Sequence, residues 1–286
     1  MPMDSKLMIY FKLARLDKPI GTYLLLWPSL MGLMLGGISS NIYAVKNFFI
    51  VLIGAILVRS CGCVINDISD HKFDKLVSRT KDRPIASGQI SLREAWLFFF
   101  ILALSSLCLL LFVPITTIYI SMIIAVFILL YPLTKRFLKA PQFFLGITFG
   151  SGTLISYSLV STSFSLSILL LFIGTVLWII SFDTIYALED IEDDKLIGIN
   201  STPILWDDKA IIISKILHLL FYFSLLLIFY INQFSLLFLV ILLLLFCIYF
   251  YQNSLVNKGE YLKAFKVNNW VGMIASTGFA IEIFLI

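Results

Sequence analysis

Charge is what this sequence has least of. Only 13% of its 286 residues are Asp, Glu, Lys or Arg, against about 25% in an ordinary soluble domain. With 60% hydrophobic residues and a mean hydropathy of +1.00, that shortage excludes a soluble globular enzyme and a disordered chain. The formal charge of +4 is too small to mark a polyanion partner, so nucleic-acid binding is excluded too. Cysteine is sparse: Cys61, Cys63, Cys108 and Cys247 all sit in apolar runs, where each reads as a small hydrophobe, not as half of a disulfide framework. No paired His stands near Cys61 and Cys63 to suggest zinc. No signal peptide is expected either, because the first apolar run, Ile20 to Ile38, is too long and lacks a small-residue cleavage site.

What is present is apolar length. A membrane core of about 30 Å needs about 20 apolar residues per helix, and on that measure the chain offers nine candidate spans: 20–38, 46–65, 94–113, 115–132, 142–162, 165–188, 211–230, 234–251 and 268–286. Ahead of them, Lys6 to Arg15 mix basic and apolar residues, the pattern of a short helix lying in the membrane interface. With nine spans, all but two of the 21 basic residues fall on one side; Lys46 lies on the other, and Arg59 lies inside the second span. The positive-inside rule then places the N-terminus and the long loops in the cytoplasm and the C-terminus outside. The short N-terminal segment is expected of a bacterial inner-membrane protein, not a mitochondrial precursor.

The acidic residues gather in two places. Asn66, Asp70 and Asp74 close the second span at four-residue spacing, one stripe of a helix; Asp183, Tyr186, Asp190 and Asp194 close the sixth at spacings of three and four. Arg59, seven residues before Asn66, points the same way. The two spans lie four apart in order, so both enter the cytoplasm in the same direction, and Asp70 and Asp190 stand 120 residues apart. This predicts two four-helix pseudo-repeats plus a last helix, the repeats related by an axis along the membrane normal. Solvated loop charge is the bland reading of such clusters. Against it, a charge within a span costs about 2.5–3.5 kcal/mol on insertion scales. Like charges about 4 Å apart repel by about 4 kcal/mol at an effective dielectric of about 20. Converging carboxylates therefore require a cation, and oxygen donors that leave positions open to phosphate favour Mg²⁺.

The neighbouring bases name the ligand class. Lys75, Arg79, Lys81 and Arg83 follow the first cluster, and Lys135 and Arg136 follow the fourth span. Some of these, Lys72 and Lys75 above all, serve equally as topology markers. Mg²⁺ with Arg and Lys at the mouth of an apolar space is a diphosphate site joined to a hydrocarbon site, which is the description of a prenyl diphosphate.

Four stretches then carry a resemblance: RLDKPIGTYLLLWP (15–28), GCVINDISDHKFDKLVSRTKDRPIASG (62–88), YPLTKRFLKAPQ (131–142) and DTIYALEDIEDDKLIGINST (183–202). With them the sequence resembles the UbiA superfamily of intramembrane prenyltransferases, in its 4-hydroxybenzoate polyprenyltransferase branch. The resemblance implies a single domain over 1–286: an all-α membrane protein of nine transmembrane helices around a central cavity, capped on the cytoplasmic side. It implies Mg²⁺ held by Asn66, Asp67, Asp70, Asp74, Asp190 and Asp194. It also implies transfer of a polyprenyl group to the ring carbon ortho to the hydroxyl of 4-hydroxybenzoate, a step of ubiquinone synthesis. Arg79, Lys81, Arg83 and Lys135 are expected to bind the diphosphate. Asp190 or Asp183 is expected to polarise the phenol. Arg136, or alternatively Arg59, is expected to hold the benzoate carboxylate. Two positions depart from the family pattern: His71 replaces a frequent Arg, and Asn200 a common Lys. The alternatives are a relative with a naphthoate, haem or glycerol-phosphate lipid acceptor, or a membrane transporter; acidic groups at one face, not at the midplane, count against transport.

Overall fold

A computed structural model describes residues 3–38, 43–77 and 79–284, and every regular element among them is helical. In chain order the elements are α1 (Met3–Leu13), α2 (Ile20–Leu35), α3 (Ala44–Asp74), α4 (Leu92–Leu109), α5 (Ile115–Phe137), α6 (Pro141–Gly150) and α7 (Gly152–Tyr157). They continue with α8 (Leu166–Ala187), α9 (Ile191–Ile197), α10 (Thr202–Trp206), α11 (Ala210–Asn232), α12 (Leu236–Asn257) and α13 (Tyr261–Phe284). Six stretches are long and apolar enough to cross a membrane: Ala44–Asp74, Leu92–Phe112, Ile115–Thr134, Leu166–Leu196, Thr202–Asn232 and Leu236–Asn257. This is a multi-pass membrane protein. The expected nine crossings are thus met at six. α2 has only 16 residues, and α13 carries Lys263, Lys266 and Glu282. The expected 142–162 span is broken at Ser151 into two short helices. Residues 285 and 286 of the expected last span lie outside the described residues.

Local chemistry sets the boundaries. Ser91 caps α4 with a reciprocal capping box: its hydroxyl accepts from the Glu94 N–H while the Glu94 carboxylate accepts from the Ser91 N–H. Pro114 separates α4 from α5, and the Ser165 and Ser235 hydroxyls accept from the first-turn N–H groups of α8 and α12. The expected interfacial helix is α1. It buries Ile9 and Leu13 against Val64, Ile65 and Ile68 of α3 and Ala95 and Phe99 of α4, leaves Leu7, Met8 and Phe11 exposed, and is pinned by a 2.8 Å Lys6–Glu94 ion pair.

The main core joins α2, α8, α11, α12 and α13. Trp178 is fully buried and stacks on Phe221 at 5.0 Å between ring centres. Adjacent asparagines wedge α13 between two neighbours. Asn268 accepts from Trp178 of α8 at 2.8 Å, and Asn269 accepts from Trp27 of α2 at 2.9 Å, so both indole N–H groups are satisfied. α2 and α7 approach backbone to backbone at Gly32, where a Cβ would collide with the Thr153 carbonyl oxygen. Outward faces of α4, α5 and α12 expose Leu, Phe and Ile throughout; such a continuous apolar exterior suits lipid and not water.

Candidate active site

The helices enclose a cavity of about 1060 Å³, at the top of the usual range for ligand pockets, about 300–1,000 Å³. α2, α3, α4, α5, the α6–α7 pair, α8 and α13 line it. Polar side chains collect at the end where α3 and α8 finish: Arg15, Asn66, Asp67, Arg79, Arg83 and Asp183. The far part, towards the α4–α5 and α7–α8 turns, is apolar, lined by residues such as Ile50, Leu109, Val113, Ile155 and Leu159.

α3 runs past the expected end of its span to Asp74, which places the whole first motif on one rigid helix. α8 likewise continues through a 3₁₀ turn, Leu188–Asp190, into α9, so the second motif bends at Asp190 instead of forming one straight stripe. Asp67, Asp70 and Asp74 are buried. Both Asp67 oxygens accept from Arg15 at 2.9 Å, and Arg83 donates to Asp67 at 3.1 Å and to Asp74 at 2.9 and 3.0 Å. Arg79, from the loop after α3, donates through Nε to both oxygens of Asp190 at 2.8 and 2.9 Å and through Nη1 to the Tyr186 hydroxyl at 2.6 Å. Burial works against the Arg79 charge most strongly of any single cause, but the Asp190 hydrogen bonds and the attraction of Tyr186, Asp190 and Asp74 together outweigh it and raise its pKa above the ordinary arginine value.

The two acidic motifs therefore share one end of the cavity, joined by arginines. Among the described residues no three Asp, Glu, His or Cys side chains converge closely enough to hold an ion as they stand, because guanidiniums face the carboxylates. The donor set itself is all oxygen, which suits a hard divalent cation. Asn66 and Asp183 line the cavity; Asp70, Asp74, Asp190 and Asp194 are not part of its lining.

The expected basic residues divide. Arg79 and Arg83 line the cavity, whereas Lys81 is exposed and outside the lining; the side chain of Lys135 lies outside the described residues. Arg136 is exposed and faces away: it donates to the Ser69 carbonyl at 3.0 Å and lies 5.4 Å from the centre of the Phe73 ring, and the cavity lining does not include it. Arg59 does line the cavity, 5.3 Å over the Phe149 ring, and its Nε is buried without a hydrogen-bond partner. A donor left unsatisfied in this way costs about 1–3 kcal/mol unless a ligand supplies the acceptor. Gly21 makes room for it, since a Cβ there would stand 2.5 Å from Arg59 Nε and Nη2. Sequence reasoning missed Arg15, Gly21 and Lys266; the first two lie inside the first resembling stretch, while Lys266 has no sequence signal.

The family model of the UbiA prenyltransferase family matches residues 25–275. A 4-hydroxybenzoate octaprenyltransferase of Vesicomyosocius okutanii is 38% identical over 272 residues, 94% of this chain and 99% of its own length. The protein of that name from Stutzerimonas stutzeri is 39% identical, covering 96% and 92%. Among solved structures, a UbiA homologue from Aeropyrum pernix superposes with a TM-score of 0.78 at 24% identity, covering 90% of this chain and 97% of its own. One from Archaeoglobus fulgidus bound to GPP and Mg²⁺ gives 0.73 at 18%, covering 97% and 100%; these two establish the fold. The chain belongs to the UbiA prenyltransferase family.

Proposed function

We propose that this protein transfers a polyprenyl group from a polyprenyl diphosphate to the ring carbon ortho to the hydroxyl of 4-hydroxybenzoate, in ubiquinone biosynthesis. One observation carries the reading: a single cavity joins Asn66, Asp67, Arg79, Arg83 and Asp183 at its mouth to an apolar far end. The acceptor is supported by relatives of that activity, 38–39% identical over nearly the whole chain.

Asn66, Asp70, Asp74, Asp190 and Asp194 would hold Mg²⁺, which when bound neutralises the diphosphate and eases its departure. Arg79 and Arg83 grip the diphosphate oxygens, and the apolar far end takes the hydrocarbon. The allylic C–O bond breaks and its electron pair leaves with the diphosphate. The ring carbon of the acceptor then forms the new C–C bond to the allylic carbon, and Asp183, at the mouth, takes the displaced ring proton. Arg59 holds the benzoate carboxylate through the Nε–H that has no protein partner. Apolar walls exclude the water that would quench the cation.

The nine-crossing architecture belongs to this reading, within one domain over residues 1–286. α2 to α5 form one four-helix unit, the α6–α7 pair with α8, α11 and α12 form the other, and α13 is the last crossing. The site then faces the cytoplasm at the bacterial inner membrane, on the basic side of the chain.

Membranes containing the protein, incubated with Mg²⁺, labelled 4-hydroxybenzoate and a polyprenyl diphosphate, are expected to yield labelled lipid. Prenylation of a naphthoate or a glycerol-phosphate lipid supplied in its place, with no labelled lipid from 4-hydroxybenzoate, would replace the acceptor assignment, and no prenylated product with any acceptor would refute the reading.

A further inference from the structure

Asp67 is 1% exposed and is held by two guanidiniums at once: Arg15 bonds both its oxygens, and Arg83 bonds Oδ1. Residues 67 and 74 are two helical turns apart and share a face, which is why one Arg83 nitrogen also reaches both oxygens of Asp74. Asn66 and Asp70 lie on an adjoining face. Arg15 arrives with a backbone φ of 58°, a left-handed conformation that Cβ sterics disfavour in a non-glycine residue and that persists only where its surroundings hold it. Those surroundings are α1, docked by Ile9 and Leu13 and by the Lys6–Glu94 pair, and a backbone bond from Lys18 N–H to the Arg15 carbonyl. Both arginines line the cavity mouth.

Arg83 is shared with Asp74, so the two carboxylates and two guanidiniums are neutral together. Among the described residues Asp67 meets two guanidiniums where Asp74 and Asp190 each meet one, and neither of its oxygens is left open to a cation. We propose that Asp67 is a positioning residue for the diphosphate and not a ligand of the metal: it holds Arg15 and Arg83 side by side, and Arg15 joins Arg79 and Arg83 in binding the diphosphate. The proposal rests on the prenyl diphosphate reading of the cavity and revises the expected metal role of Asp67.

The test uses the full-length protein in detergent, with geranyl diphosphate binding measured by calorimetry and Mn²⁺ binding measured separately by electron paramagnetic resonance. Asp67→Asn and Arg15→Gln are each expected to weaken geranyl diphosphate binding about tenfold and to raise its KM with kcat within about threefold. The double variant should lose no more than about twofold beyond the worse single one, because both act through one contact. Multiplied losses, about a hundredfold, would overturn the proposal. Mn²⁺ affinity should stay within about twofold in Asp67→Asn and fall about tenfold in Asp70→Asn; equal losses would also overturn it. If Asp70→Asn leaves Mn²⁺ binding intact, the metal assignment has failed, and the double-mutant cycle still decides the role of Asp67. If Asp67→Asn does not fold, Arg15→Gln alone decides, since unchanged diphosphate affinity there contradicts the role assigned to Arg15.

Discussion

Arg79 and Asp190 lie 111 residues apart in sequence and form a two-pronged ion pair, with Nε 2.8 and 2.9 Å from the two carboxylate oxygens. The pair bridges the loop after the first acidic motif to the bend in the second. The same guanidinium holds the Tyr186 hydroxyl and lines the cavity, so whatever binds at the mouth meets a cation already oriented on three sides. Hydrogen bonds to charged groups are worth about 1.5–3 kcal/mol. Arg79→Ala is therefore expected to lower kcat/KM for the prenyl diphosphate by about ten- to a hundredfold, with the KM for 4-hydroxybenzoate nearly unchanged. Steady-state kinetics with each substrate varied in turn checks this, and an equal rise in both KM values would contradict it.

Arg59 and Arg136 make opposite predictions. Leaving a benzoate carboxylate unpaired in the cavity would cost several kcal/mol, and of the two arginines only Arg59 lines it. Arg59→Ala should raise the KM for 4-hydroxybenzoate about tenfold or more, and Arg59→Lys should rescue it in part, since an ammonium lacks the planar fork. Arg136→Ala should change it less than about threefold. The reverse ranking would return the carboxylate to Arg136.

Gly21 sits in the first turn of α2, directly beneath the Arg59 guanidinium. Gly21→Ala forces that group to shift, because the new methyl falls within van der Waals distance of two of its nitrogens. The expected result is a rise of about three- to tenfold in the KM for 4-hydroxybenzoate, without added loss when combined with Arg59→Ala. Full additivity of the two substitutions would show that Gly21 acts elsewhere.

Divalent metal should be required for turnover. EDTA is expected to abolish activity and added Mg²⁺ to restore it, and Asp70→Asn should lower turnover by about two orders of magnitude or more while thermal unfolding in detergent moves by no more than a few degrees. Undiminished turnover in metal-free buffer would refute the metal assignment.

The membrane class, the two acidic motifs and their placement at one end of the bundle were legible in the sequence, because all three follow from local rules. Apolar run length reports a span, and a helix turns by about 100° per residue, so stripe membership can be counted. The basic character of the mouth was legible for the same reason, from composition beside the motifs. Only the tertiary structure decided which charge meets which. Arg136 follows a span whose last turn faces α3, and its reach ends on the Ser69 carbonyl and the Phe73 ring. Arg59 reaches the cavity because Gly21 of another helix leaves space beside it. Asp67 reads as a metal ligand in its motif, yet a loop 52 residues upstream delivers Arg15 to it. Pairing of this kind depends on interhelical distance and loop path, which no periodicity encodes. Likewise the break at Ser151 divides a run that by composition alone would be one continuous span.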